Sequence, residues 1–313
     1  MRVVFCGSGS FAVPSLEAIL QSGRHEIVGI VTQPARPAGR GGKLAPTPVT
    51  QAAGKHGLPI CEIEKINAPE SVAAVVAMRG DVMCVCDFGQ LIRKPVRDAF
   101  PLGAFNLHGS VLPELRGAAP VNWAIIRGYA QTGVTTFSLV DKMDAGPVYL
   151  TADAPIDPRE TALELRGRLA RIGADLVCRT LDLLAAGQTQ GRPQDESKVT
   201  LAPKLAKEQG IIDWNSEAVS IRNLIHGTWP WPGAQAVFCG GKHKDVRVAI
   251  ARASVEGGGV SGKPGLLDAD LCVGTAAGRL RILELQPAGK RLMAWRDFVN
   301  GYRLAAGDRF SPP

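Results

Sequence analysis

A chain of 313 residues, 45% hydrophobic and 21% charged, suits two domains and can bury sizeable cores, so disorder is excluded. No apolar run approaches the roughly 18–20 residues of a membrane span, and Met1-Arg2-Val3-Val4-Phe5-Cys6 reads as a buried first strand, not a targeting leader. The net charge is +7 with a pI near 9.2, which fits a polyanionic partner.

From the N-terminus, short apolar runs alternate with helical patterns. Arg2–Cys6, Glu26–Thr32, Asp81–Cys86 and Ala104–Leu107 read as strands, with Ser15–Gln21, Ser71–Met78 and Ala119–Arg127 as helices between them. Such alternation predicts a parallel α/β sheet with crossover helices. Gly133–Val140 and Val148–Ala154 read as two more strands, close enough to pair antiparallel. A long helix is predicted from Asp157-Pro158, with Asp157 as N-cap and Glu160 completing a box-like pattern. Leu165, Leu169, Ile172, Leu176 and Leu183 would form its apolar stripe, and Gly187 would stop it. Periodicity is then lost over 188–208. The polar run Gln188 to Ser197 reads as a linker or an extended crossing segment. Beyond it, Gln235–Cys239, Val246–Ala251, Gly265–Leu267, Leu271–Thr275 and Arg279–Glu284 read as short strands of a small OB-like barrel. The expected division is a catalytic domain over 1–189, a linker over 190–208 and a barrel over 209–313.

Charge is unevenly placed. Residues 201–313 carry 15 Lys and Arg against 10 acidic residues. No Asp or Glu falls between Glu26 and Glu62, where Arg36, Arg40, Lys43 and Lys55 stand. Seven scattered cysteines read as reduced thiols, placing the protein in the cytoplasm. Cys84-Val85-Cys86 has no second Cys/His pair at zinc spacing, so no metal is expected.

Two motifs invite chemistry. Gly7-Ser8-Gly9-Ser10-Phe11-Ala12 matches a dinucleotide turn, yet no carboxylate follows at the end of the second strand, Ile30-Val31-Thr32-Gln33-Pro34. Arg36 could instead meet a 2′-phosphate, which leaves NADP open beside the plainer reading of a tight glycine turn. The second motif is Asn106-Leu107-His108 at the end of a strand. Residues two apart share a face, so Asn106 and His108 point together at the ligand-binding edge of such a sheet. An amide can donate to a developing oxyanion, and an imidazole can pass a proton near neutral pH. Asp141-Lys142-Met143-Asp144-Ala145-Gly146 could bring a carboxylate to the same edge.

His108-Gly109-Ser110-Val111-Leu112-Pro113, followed by Arg116-Gly117-Ala118-Ala119-Pro120 and Trp123-Ala124-Ile125, resembles the signature of the folate-dependent formyltransferases. The resemblance covers nearly the whole chain. Residues 32–44 look like the tRNA-contacting loop found in one branch of that family. Gly133-Val134-Thr135 and Asp144-Ala145-Gly146 look like the stretch supplying its catalytic carboxylate. Trp231-Pro232-Gly233-Ala234 and Leu285-Gln286-Pro287-Ala288-Gly289-Lys290 look like its second domain.

The resemblance implies a Rossmann-like, mostly parallel sheet followed by a small OB-like β-barrel. It implies 10-formyltetrahydrofolate as donor and the amine of initiator methionyl-tRNA as acceptor; apart from the resemblance, a monomer is expected. By motif, Asn106, His108 and Asp144 take the catalytic positions. Ser110, Val111, Leu112 and Pro113 take the folate-contacting turn, and Phe88, Gly89, Leu91 and Ile92 line the pterin side. Arg36, Arg40 and Lys43 would meet tRNA phosphates, with Lys242, Lys244, Arg247, Lys290 and Arg291 as candidates on the barrel. Three departures stand out: Gly9 replaces a usual Pro, Glu114 lies where many relatives are basic, and Phe88 replaces a common Tyr. A sugar-amine formyltransferase, a formyl-folate hydrolase or a non-enzymatic RNA-binding protein remain alternatives at this point.

Overall fold

Burial of Val3, Val4, Phe5 and Cys6 makes β1 (Arg2–Gly7) a central strand. The computed structural model describes residues 1–38, 42–188, 190–240, 243–257 and 262–313. The chain forms two compact units. The first comprises Met1–Pro120, Thr132–Ala154 and Arg166–Pro203; the second comprises Val121–Gln131, Pro155–Leu165 and Lys204–Pro313.

In the first unit, α1 (Val13–Ser22) follows β1 and stops at Gly23. β2 (Glu26–Thr32) is next, then a small hairpin of β3 (Arg36–Ala38) and β4 (Lys43–Ala45). The helix α2 (Pro48–Lys55) is capped by the Thr47 hydroxyl, which accepts from Thr50 N. Then come β5 (Ile60–Glu62), α3 (Pro69–Ala77), β6 (Val82–Cys86), α4 (Lys94–Arg97) and β7 (Ala104–His108). The next helix, α5 (Pro120–Ile126), falls almost wholly in the second unit; the first resumes with β8 (Gln131–Ser138) and β9 (Val148–Pro155) and takes all but the first turn of the long helix α6 (Ala162–Ala185). The sheet order is β5-β2-β1-β6-β7-β8-β9. Pairs from β5 to β7 are parallel, and β8 runs antiparallel to β7. The expected parallel α/β sheet with an antiparallel extension is therefore present. Strand order reverses between β1 and β6, the kind of crevice where such sheets bind ligands.

Two local expectations need correction. The long helix begins at Ala162, not at Asp157-Pro158. Asp157 caps a turn instead, accepting from Arg159 N at 2.8 Å. The helix is opened by a reciprocal box: Thr161 N donates to Glu164 Oε2 at 2.8 Å, and Glu164 N to Thr161 Oγ1 at 3.4 Å. Its lower stripe also shifts, with Leu181 and Leu184 buried and Leu183 only partly so. The second correction concerns elements too short to show a period, including β3, β4, β5 and α2, none of which was expected.

The second unit contains α7 (Ala218–Thr228), β10 (Ala234–Gly240), β11 (His243–Glu256), β12 (Val273–Gly274), β13 (Arg279–Pro287), β14 (Met293–Ala294), α8 (Trp295–Tyr302) and β15 (Arg309–Ser311). Its antiparallel sheet runs β12-β13-β11-β10-β15, with β14 on β13. The expected strand Gly265–Leu267 is not a strand of this ladder. It is the tie between its edges: Leu266 bridges to Arg309 and Leu267 to Val273. That tie makes a nearly closed barrel from an open sheet and shields two edge strands. The core holds Ile221, Ile225, Phe238, Ile250, Ile282, Leu285, Phe298 and Phe310. Among the described residues no helix is long and apolar enough to cross a membrane.

Candidate active site

β7 carries Asn106 and His108 on one face, paired across the sheet with Phe137 and Thr135 of β8. His108 is buried, with Nε2 at 2.9 Å from the Leu115 carbonyl. A carbonyl only accepts, so Nε2 carries the hydrogen. In the neutral ring Nδ1 then bears the lone pair. Nδ1 lies 3.8 Å from Asp144 Oδ2. Asp144 sits in the loop between β8 and β9 with a left-handed φ of 51°. Its Oδ2 accepts from Gly117 N at 2.8 Å. Gly146 ends this loop against the backbone: a Cβ there would come 1.6 Å from the Ser138 carbonyl. No other residue type fits that approach. The Asn106 carboxamide is half-buried and has no hydrogen-bond partner among the described residues. The geometry thus brings an imidazole and a carboxylate together, on the strand face that also carries a free amide.

The proposed folate turn is held from within. Ser110 Oγ donates to Glu114 O at 2.6 Å. Thr135 Oγ1 donates to Ser110 O and accepts from Leu112 N. Ser110 and Leu112 are buried, Val111 and Pro113 partly so. In the 87–92 loop, Phe88 and Ile92 are buried, Gly89 has φ 81° and Leu91 is 44% exposed. Arg36 and Lys43 are exposed on the β3–β4 hairpin. Arg40 and Lys242 lie outside the described residues.

The glycine turn after β1 is already occupied by protein. Ser8 N and Gly9 N both donate to the Asp87 carbonyl at 3.2 Å. These are the amides a bound pyrophosphate would need. Asp87 itself has φ 50°, and its carboxylate pairs with Arg166. A Cβ at Gly9 would lie 1.8 Å from Asp87 Oδ2. A side chain at position 9 would therefore force the Asp87 carboxylate to move. A shallow cleft of about 480 Å³, lined by Cys61–Lys65 with Glu70, Ser71 and Ala74, shares no residue with this site.

Some supporting residues had no sequence signal. Gln194 donates from Nε2 to Asp144 O and Gly146 O, 2.8 Å each, and it falls in the stretch without periodicity. Arg166, which pairs with Asp87, lies on α6 and was given no reading from the sequence. Arg116 stood within the signature but had no role assigned.

Residues 1–181 match the family model described as formyl transferase, and residues 204–303 match its C-terminal domain. The chain belongs to the formyl transferase family. It is 41% identical to the methionyl-tRNA formyltransferase of Solibacter usitatus over 312 residues, covering 99% of this chain and 98% of that one. Identity to the methionyl-tRNA formyltransferase of Geobacter sulfurreducens is 39% over 311 residues, covering 99% and 96%. The fold matches HypX from Aquifex aeolicus, solved in complex with tetrahydrofolic acid, with a TM-score of 0.65 at 18% identity. That match covers 96% of this chain and 47% of HypX. Membership makes this formyl transferase an enzyme of one-carbon group transfer.

Proposed function

We propose that the enzyme moves the formyl group of 10-formyltetrahydrofolate onto the α-amine of initiator methionyl-tRNA in the cytoplasm, acting as a monomer. The observation that carries the chemistry is His108 Nδ1 facing Asp144 Oδ2 at 3.8 Å, on a strand whose Asn106 amide has no hydrogen-bond partner among the described residues. The acceptor is supported by the similarity to the two curated methionyl-tRNA enzymes over nearly the full chain and by exposed cations. Arg36 and Lys43 stand on the hairpin. Arg247, Lys290 and Arg291 are exposed on the barrel unit, where Ala288 N, just past β13, donates to Arg247 O of β11 at 2.9 Å.

The folate fits the residues present: a free amide donor, a glycine-opened loop and an exposed Leu91 beside buried Phe88. When bound, it supplies a formyl carbon on a nitrogen that leaves once protonated. A free α-amine titrates near 7.7–8.0 and the neighbouring ester lowers that further, so a useful fraction of the incoming amine is neutral at pH 7. Asn106 donates to the formyl oxygen as charge gathers there, worth about 10²–10³ in rate for one such donor. His108 Nδ1 takes the amine proton and hands it to the departing nitrogen, worth about 10²–10⁴. Asp144 balances the positive charge on the imidazole and holds its orientation. The protein uses no covalent nucleophile in this scheme.

Labelled formyl-folate and a mixed aminoacyl-tRNA pool test the acceptor directly. Label should appear on initiator methionyl-tRNA. Formylation of an amino sugar with none on tRNA would reject the reading. His108→Ala and Asp144→Asn should each lower kcat by about 10²-fold or more with little change in KM. Near-normal turnover removes that residue from the chemistry.

A further inference from the structure

We infer that the stretch from Arg192 to Ala202, which composition marks as a connector, is a positioning element of the reaction site, with Gln194 as its central residue. The inference rests on His108 and Asp144 acting as proposed above. Gln194 uses its whole amide. Nε2 donates to the carbonyls of Asp144 and Gly146, both at 2.8 Å. Oε1 accepts from Arg116 Nε at 3.1 Å and Nη2 at 2.7 Å. No donor or acceptor is left to turn elsewhere, so the amide has one orientation. It grips the two residues that bracket Ala145, and Asp144 there holds a left-handed φ of 51° that only surrounding bonds can enforce.

The same stretch reaches the loop by charge. Glu196 pairs with Arg116 at 2.7 Å and with Lys142 at 2.6 Å, and these two cations hold its carboxyl down near 2. It also supports the histidine. Thr200 Oγ1 accepts from Leu115 N at 2.8 Å, and Thr200 O accepts from Arg116 N at 2.9 Å. Leu115, with φ 59°, is the residue whose carbonyl receives His108 Nε2–H. One continuous segment therefore fixes the Asp144 backbone through Gln194 and the His108 tautomer through Leu115. Arg116 joins the two halves. It is 3% exposed, and its Nη1 has no partner among the described residues. A buried guanidinium with one exposed counter-charge is an expensive way to hold a mere connector. It is a reasonable way to hold a carboxylate in register with an imidazole.

The test compares Gln194→Glu, Gln194→Ala, Asp144→Asn and the Gln194→Glu/Asp144→Asn double variant, with steady-state kinetics on both substrates and thermal unfolding. Gln194→Glu retains acceptors for Arg116 and removes the donors to the loop. Displacement of a catalytic group by about 1 Å costs on the order of 10²-fold. We therefore expect kcat to fall about 10- to 100-fold, both KM values to stay within about threefold, and no further loss in the Asp144→Asn background. Full kcat in Gln194→Glu, beside an inactive Asp144→Asn, overturns the inference and leaves the proposed chemistry standing. An equal loss in both backgrounds makes Gln194 structural and overturns it too, as does unfolding of both Gln194 single variants. An active Asp144→Asn rejects the chemistry and the positioning role together.

Discussion

Asp144, Asp87 and Leu115 all take left-handed backbone angles that ordinary residues avoid, and all three lie in or beside the site. Each is held by a specific bond, which is why single changes nearby should have outsized effects. Gly9 shows this most simply. Its missing Cβ is the space that the Asp87 carboxylate occupies. Gly9→Ala should destabilise the protein by about 1–3 kcal/mol through overpacking. Combining it with Asp87→Ala should recover most of that loss in chemical denaturation. Additive losses would show that the two positions are independent. From the chain alone, Asn106 and His108 could be placed on one face by counting in twos, and Asp144 could be suspected. The bond from His108 Nε2 to Leu115 O could not, because a backbone carbonyl seven residues away carries no periodic signal. Gln194 was hidden for the same reason. Glutamine in a polar stretch looks like solvent-facing linker until the loop it grips is folded beneath it.

Helix α6 marks the limit of pattern reading at element level. Its stripe of Leu165, Leu169 and Leu176 was legible because burial on one helix face recurs every three to four residues. Its start was misplaced because Asp157-Pro158 and Thr161 both offer N-terminal chemistry. The outcome was settled by Glu164, which answers the Thr161 N–H and also receives Arg252 Nη2 at 2.7 Å. Partial burial raises the Glu164 pKa, but Arg252 and Thr161 outweigh it and bring it down to about 2. Thr161→Ala should therefore lower stability by about 1 kcal/mol, the usual worth of a cap, read as a shift in denaturation midpoint. A variant as stable as the parent would mean that Asp157 opens the helix in solution. Strands of two or three residues, such as β14 and β15, stayed invisible because so few positions cannot show an alternation. They exist because the barrel supplies partners for them.

Across the two units, titration and salt give the broadest tests. His226, in the second unit, is buried and accepts from Ala253 N at 3.2 Å, while its other nitrogen faces the Pro158 carbonyl. Burial, aided by the charges of Arg222 and Arg252, lowers its pKa from 6.5 to about 4. Below pH 6.5 the unfolded chain takes up a proton that the folded chain refuses. Stability should therefore be full above that pH, decline between 6.5 and about 4, and level off below, by on the order of 3 kcal/mol at most. Urea midpoints across this window should lose that His-dependent slope in His226→Gln; an unchanged slope would assign it to other groups. If Arg36, Lys43, Arg247, Lys290 and Arg291 meet phosphates, tRNA affinity should fall steeply with salt, and each replacement should lessen the log–log slope by about 1. A flat response would exclude a phosphate-reading surface.

The order of buried runs, the glycine-marked turns, the charge distribution and the sequence from His108 to Pro120 were readable before any coordinates, because each depends on neighbours along the chain. Barrel closure by Leu266 and Leu267, the exchange of space between Gly9 and Asp87, and the support of Asp144 by Gln194 arose only on folding. Each joins groups far apart along the chain, through hydrogen bonds and contacts of a few ångströms. No local pattern encodes such distances.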